Sequence, residues 1–446
     1  MILSRHGDRL TLDDLSKHVN CIAAIGSGKT ATFISEMMRF ALSEGVACVC
    51  VTAKPEDGDQ YQAILDDCKA PSIRMTVGGK ETLNAIGEAA RRFPSAEVRQ
   101  LFDATLEQRN RSSGYGGHNE SYFVAMASIR LEAAVVLLLA AGEEVSFVNI
   151  ERLRLETPTE RDALKGDEWK ATWAFSVYRR ADQVQSTAVT DAQTHWLIDR
   201  PKEGEKTRAG IEGGIIQLAS CFNAEPCRKV YGTESTFDLE EVTEDGVSLL
   251  MDTPALVWGQ PAVFGMSMTL NVIARVCLQR KNPTQPVLLV IDEAPLFLSQ
   301  EAVRWLSLGR SKLLWVCSAM QSVSTLIAQM GADERARVSA DAALGNYGLT
   351  LYGINNDPIT CTRMSDGIGK CRKRFRSSSV SSNGAMEMFG ESRMSISSST
   401  NEQESYDLPP DTLTRLNPGE FVLVARGKTF NATGKPWMIC RFQLRR

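Results

Sequence analysis

At 446 residues, 43% hydrophobic and 23% charged, the chain has the makeup of a soluble globular protein with core enough for roughly two to three domains. Its formal charge of −4 excludes a surface coated in basic groups. That charge still admits a nucleic-acid partner, because a ring can confine its positive side chains to a channel. Eleven cysteines, an odd number with no Cys-x-x-Cys pair, argue against a disulfide framework and for reduced thiols in a cytoplasm.

The opening stretch, Met1 to Leu10, is short, mixed and charged, unlike a signal peptide. Val19 to Ala24 reads as a short apolar strand running into a glycine loop. A helix is predicted next, with Phe33, Met37, Phe40 and Ala41 on one face and Gly45 as its stop. Val46 to Thr52 is nearly continuous apolar sequence, as in a strand covered on both faces. From about Glu81 to Thr236 the pattern turns helical. Within it, Ala133 to Ala141 is the longest apolar run, about half of the ~20 residues a membrane helix needs, and it reads as a buried core helix. Trp169 and Trp173, four apart, read as core positions first and as base-stacking positions second. Strand signals return at Val247 to Met251, Val287 to Ile291 and Leu313 to Cys317. The expected architecture is an α/β core with a mainly parallel sheet, formed by residues 1–84 and 237–446. Residues 85–236 are expected to form an inserted all-α domain. Ser377 to Thr400 is a low-complexity serine segment behind the basic cluster Lys370 to Arg376, expected as a flexible loop or a loosely paired hairpin. The cluster reads equally well as a DNA contact and as a solvated charge run.

The chemistry concentrates in two places. Ala23-Ala24-Ile25-Gly26-Ser27-Gly28-Lys29-Thr30 matches the phosphate-loop pattern except for its leading glycine, here Ala23. It stands between an apolar strand and an amphipathic helix. Gly26, Ser27 and Gly28 would bring backbone N–H groups to phosphates at a helix N-terminus. Lys29 would reach the β- and γ-phosphates of ATP, and Thr30 would ligate Mg²⁺. Far downstream, the apolar strand Val287 to Ile291 ends in Asp292-Glu293. Open α/β sheets bind ligands at such strand ends, so Asp292 is assigned to the Mg²⁺ shell and Glu293 to the attacking water.

Further segments resemble the soluble motor domain of conjugative type IV coupling proteins, TraG/TraD-like members of the HerA/FtsK-type ring ATPases. The resemblance runs through Asp13 to Val19, which leads into the phosphate loop. It continues at Val51-Thr52-Ala53-Lys54-Pro55-Glu56, similar to the family's Asp-Pro-Lys-Gly-Glu element with only Lys54 and Glu56 kept. Leu308-Gly309-Arg310-Ser311-Lys312 and Ser318-Ala319-Met320-Gln321-Ser322 carry it further. So do Asn355 to Pro358 with Ile368 to Lys370, and Leu408 to Asp411 with Leu416 to Glu420. The resemblance implies a RecA-like P-loop NTPase fold. It implies that Arg310 is a finger reaching a neighbouring subunit's nucleotide and that Gln321 senses the γ-phosphate. It also implies a homo-hexameric ATPase that binds and moves DNA, with a relaxase, a secretion channel or a nuclease as partner. The family's N-terminal membrane anchor has no counterpart in these residues, which leaves open an ATP-gated recruitment switch or the ATPase partner of a nuclease in an anti-phage defence system.

Overall fold

The computed structural model describes the chain except residues 2, 5, 113–117, 233, 299, 383–393 and 443–446. Its strands, in chain order, are β1 (Val19–Ile22), β2 (Ala47–Val51), β3 (Ser72–Thr76), β4 (Ser248–Asp252), β5 (Val287–Ile291) and β6 (Leu314–Met320). There follow β7 (Leu349–Tyr352), β8 (Lys370–Ser382), β9 (Met394–Tyr406), β10 (Glu420–Ala425) and β11 (Trp437–Arg441). Nine of them form one sheet in the order β11-β10-β7-β1-β6-β5-β2-β4-β3. The run from β7 to β3 is parallel throughout, and β10 and β11 are added antiparallel at one end. This is the mainly parallel α/β sheet that the strand and helix alternation predicts.

The sequence of the central strands explains their place. β2 (ACVCV) and β5 (VLLVI) contain no polar side chain, and every residue in them is buried. Such strands suit the middle of a sheet covered on both faces. Their alternation feeds two separate cores. Val49, Val51, Leu289 and Ile291 pack on one face with the long helices of the middle of the chain. Cys48, Cys50, Leu288 and Val290 pack on the other with Phe33, Met37 and Ile64. Each such aliphatic side chain contributes about 1.5–3 kcal/mol by leaving water, and the buried cysteines act as small apolar fillers.

Between β3 and β4 the described residues form helices and no strand, among them Ser95–Ser112, His118–Ala140, Phe147–Glu156 and Glu205–Asn223. The helices of this excursion pack against Ala255–Gln279 of the sheet's own core, and its two ends lie side by side in a neck. There Thr236 N–H donates to the Thr82 carbonyl (3.0 Å), and Thr82 N–H donates to Thr236 Oγ1 (2.9 Å). Beyond the neck, Leu131, Leu138, Ile215 and Trp196 are buried together, and Phe147 stacks on Phe222 at 4.2 Å. Most of the apolar run Ala133 to Ala141 is buried here, at the end of His118–Ala140. Two helical windows, Tyr122–Ala140 and Ala255–Gln279, are long and apolar enough to cross a membrane. They are 50% and 83% buried in the protein, as core helices are. Trp169 is buried edge-on to Phe175 and Tyr178, whereas Trp173 is half-buried under the Arg152 guanidinium at 4.5 Å.

The serine segment, expected as a flexible loop or a loosely paired hairpin, is, where described, part of a two-stranded antiparallel ribbon. β8 pairs antiparallel with β9 from Lys370↔Tyr406 to Ser382↔Met394, and residues 383–393 lie outside the described residues. The physical reason sits at the ribbon's root. Arg372 faces Glu404 and Arg374 faces Glu402, with an Arg374–Glu402 ion pair at 2.8 Å. Lys370 lies over the Tyr406 ring at 5.4 Å, and Lys373 donates to the Tyr406 carbonyl at 2.7 Å. Opposite charges across an antiparallel pair favour the register, so much of the basic cluster is engaged within the ribbon itself.

Candidate functional site

The C-terminal ends of β1, β5 and β6 meet at one edge of the sheet, and the sequence-predicted groups gather there. The chain after β1 is tethered on both sides: Ala23 N–H donates to the Met320 carbonyl (3.1 Å) and Ala24 N–H to the Ile354 carbonyl (2.9 Å). The loop then turns through Gly26 (φ 77°) and Gly28 (φ 88°), a left-handed backbone that glycine adopts without penalty. A Cβ at Gly26 would meet no neighbour, so its backbone conformation rather than space calls for glycine there. The helix that follows opens with a widened turn over Lys29–Ile34, where Thr32 Oγ1 donates to the Gly28 carbonyl (2.6 Å). Ser27 Oγ is buried with no hydrogen-bond partner among the described residues.

Lys29 points back into the loop, its Nζ donating to the carbonyls of Ala23 (2.6 Å) and Ala24 (3.1 Å). Burial holds its pKa below the usual lysine range, partly offset by Cys21 and by the carboxylates of Glu293 and Asp292. Thr30 Oγ1 donates to Asp292 Oδ2 at 2.5 Å, joining two positions 262 residues apart. The other Asp292 oxygen accepts the Glu293 N–H (3.0 Å). Glu293 itself sits at φ 56°. For a side-chain-bearing residue that backbone costs about 1–2 kcal/mol, and here it turns the carboxylate toward Gln321. The Gln321 amide donates to the two Glu293 oxygens at 3.3 and 3.4 Å.

The neighbouring segments act as a frame. Asn355 Nδ2 donates to the Gln321 carbonyl (2.8 Å), while Asp357 caps the next helix and accepts from Ser324 Oγ (2.6 Å). The Asn-Asp-Pro element therefore clamps the backbone beneath Gln321. Buried Asp57 accepts the N–H groups of Ala53 and Lys54, fixing the loop that carries Lys54 near Lys29. Burial, with some contribution from the Asp292 charge, raises the Asp57 pKa.

Arg310 is not part of this gathering. It lies before β6, at the opposite edge of the sheet, more than half exposed and paired with Asp13 at 2.9 Å. The seven residues of β6 separate it from Gln321, a span of roughly 20 Å. One further residue beside the loop carries no sequence signal: Arg441, on β11, lines a cavity whose far wall is Gly26, Ser27 and Gly28.

As chemistry, the edge offers backbone donors and an ammonium for phosphate oxygens. It adds a hydroxyl–carboxylate pair of hard oxygen donors and a carboxylate–amide pair able to hold a water. Residues 286–418 match the family model described as the TraM recognition site of TraD and TraG. The unbound bacterial conjugative coupling protein TrwBdeltaN70 superposes with a TM-score of 0.61 at 14% identity, covering 100% of this chain and 88% of that one. The chain has the TraG/TraD-like coupling-protein fold. The plasmid coupling protein TrwB in complex with the non-hydrolysable ATP analogue ADPNP gives 0.62 at 15% identity, covering 100% and 89%. VirB4 of Thermoanaerobacter pseudethanolicus gives 0.53 at 12%, covering 99% and 96%. No curated protein sequence matches significantly. The coupling-protein fold is the RecA-like P-loop NTPase core, as the sequence resemblance implies.

Proposed function

We propose that this chain is a cytoplasmic Mg²⁺-dependent ATPase that works as a homo-hexameric ring and translocates DNA. The observation that carries the reading is the joining of Lys29, Thr30, Asp292, Glu293 and Gln321 at one sheet edge, from three separate parts of the sequence. The residues fit Mg·ATP on their own terms. Ser27 Oγ is buried and unpaired, the glycines leave the loop's N–H groups approachable, and Thr30 and Asp292 supply the one or two oxygen ligands with which a protein holds Mg²⁺ against phosphates. Related structures contain the ATP analogue ADPNP, or ADP with Mg²⁺.

In this reading Lys29 would neutralise the terminal phosphates, and Thr30 and Asp292 would hold Mg²⁺, which would supply positive charge to the phosphate oxygens. Glu293 orients a water and takes its proton, while Gln321 holds that water and a γ-phosphate oxygen. Arg310, too far from its own chain's site, completes that of the next subunit in a ring. DNA contacts would fall mainly on phosphates and be insensitive to sequence.

The test is ATP hydrolysis by the full chain with and without DNA, single- and double-stranded, over a salt series. Stimulation that is independent of sequence and falls steeply with salt is the expected result. Hydrolysis unaffected by any DNA would instead favour an ATP-gated recruitment switch, serving a relaxase, secretion channel or nuclease.

A further inference from the structure

The cavity beside the phosphate loop, about 530 Å³, has two walls. Gly26, Ser27 and Gly28 make one, and Pro418, Gly419, Arg441 and Phe442 make the other. The second wall is held firmly against the first. Gly419 N–H donates to the Ser27 carbonyl (3.2 Å), and Phe442 N–H donates to the Gly419 carbonyl (3.1 Å). The Phe442 ring packs edge-on against Phe33, of the helix that follows the loop, and against Phe421.

Two polar side chains line this cavity. Ser27 Oγ is one, in a residue only 2% exposed. The Arg441 guanidinium is the other. Its cross-strand neighbour Glu420 is already engaged, accepting from the Asn417 N–H (3.0 Å) and Nδ2 (2.9 Å). Arg441 is exposed and its charge also acts on Glu420; its fork of donors suits a phosphate oxygen entering the cavity.

The sheet order fixes which part of a ligand lies here. The loop leaves β1, and the groups assigned to the terminal phosphate stand on the β6 and β5 side. β7, β10 and β11 lie on the other side. A nucleoside triphosphate with its last phosphate at Lys29, Glu293 and Gln321 must extend its nucleoside end away from them, toward β11. We infer that this cavity is the nucleoside-side subsite and that Arg441 binds the α-phosphate of a nucleoside di- or triphosphate, an inference that rests on the nucleotide reading above.

The experiment compares ADP, ATP and inorganic pyrophosphate binding to the full chain, in the wild type, Arg441→Ala, Arg441→Lys and Lys29→Ala. Arg441→Ala should weaken ADP and ATP by the same factor, on the order of tenfold for one charge-assisted bond. Its pyrophosphate affinity should stay unchanged, and Arg441→Lys should recover part of the loss. An unchanged melting temperature without ligand would show that the variant folds. Wild-type ADP affinity in Arg441→Ala overturns the subsite, as does an equal loss of pyrophosphate affinity, which would place the arginine at the terminal phosphates. Wild-type nucleotide binding in Lys29→Ala would instead sink the nucleotide reading itself.

Discussion

The two edges of the parallel sheet are built to opposite plans. At the edge where β1, β5 and β6 end, Thr30 bonds Asp292 and Gln321 bonds Glu293, with Lys29 close by and Glu293 in a left-handed conformation. At the edge where β6 begins, Arg310 stands largely in solvent, and its ion-pair partner among the described residues is the exposed Asp13. A carboxylate–amide pair placed by a buried sheet is already set for chemistry. An arginine on a solvent-facing turn has its geometry completed only by something that docks there. If Arg310 serves a neighbouring subunit as proposed, one chain would carry both halves of a composite site with the length of β6 between them.

That contrast yields predictions of decreasing size. Arg310→Ala should bind ATP as the wild type does and hydrolyse it about 10³–10⁵-fold more slowly, the range associated with a missing arginine finger. Mixed with Lys29→Ala protein, it should regain part of the activity, because some junctions then join an intact phosphate loop to an intact arginine. Verified mixed rings with no recovery would break the comparison. Next, Glu293→Gln should retain ATP while single-turnover hydrolysis drops about 10²–10⁴-fold, the usual worth of a positioned general base. A wild-type rate would remove Glu293 from the mechanism.

Smaller effects sharpen the difference between buried and exposed groups. His18, at the start of β1, is buried, and its Nδ1 accepts the Val316 N–H at 3.1 Å. Burial lowers its pKa from 6.5 to about 4. The unfolded chain therefore takes up a proton at His18 as pH falls below 6.5 while the folded chain does not until about 4. Stability is lost across that window and levels off below it. The loss should reach about 2 kcal/mol by pH 5. His18→Asn, which keeps an acceptor and tolerates the φ of 62° at this position, should flatten that slope in denaturant titrations at pH 7 and pH 5. Equal slopes in both proteins would refute the assignment. Least affected should be Asp13→Asn: an exposed pair is worth at most ~1 kcal/mol. Thermal stability should barely move in a melting scan, and the hydrolysis rate should change less than about fivefold.

Much of this was legible in the sequence where chemistry and periodicity coincide. Gly26 to Thr30 and Asp292-Glu293 announce themselves because each follows an apolar strand, whereas Gln321 was named through the family resemblance alone. Their convergence depends on the strand order, with β1 next to β6 and β6 next to β5, which no local pattern encodes. Arg441 was invisible for the same reason: it belongs to no motif and reaches the loop only because β11 closes the sheet edge. The ribbon had a readable clue that composition hid. Arg372 and Arg374 alternate in step with Glu404 and Glu402, yet the serines between left a flexible loop and a paired hairpin both open.

The neck at Thr82 and Thr236 has a consequence for how the chain folds. β3 and β4 are neighbours in the sheet, with Ser72 beside Ser248, although the whole helical excursion lies between them. Bringing the ends of so long a disordered loop together would cost chain entropy before any strand pairing repaid it. If the excursion's helices condense first, the Thr82–Thr236 bonds bring its two ends side by side. The strands then meet as if joined by a short connection. The insert would thus serve as a folding unit whose early formation sets the rate at which this half of the sheet can close.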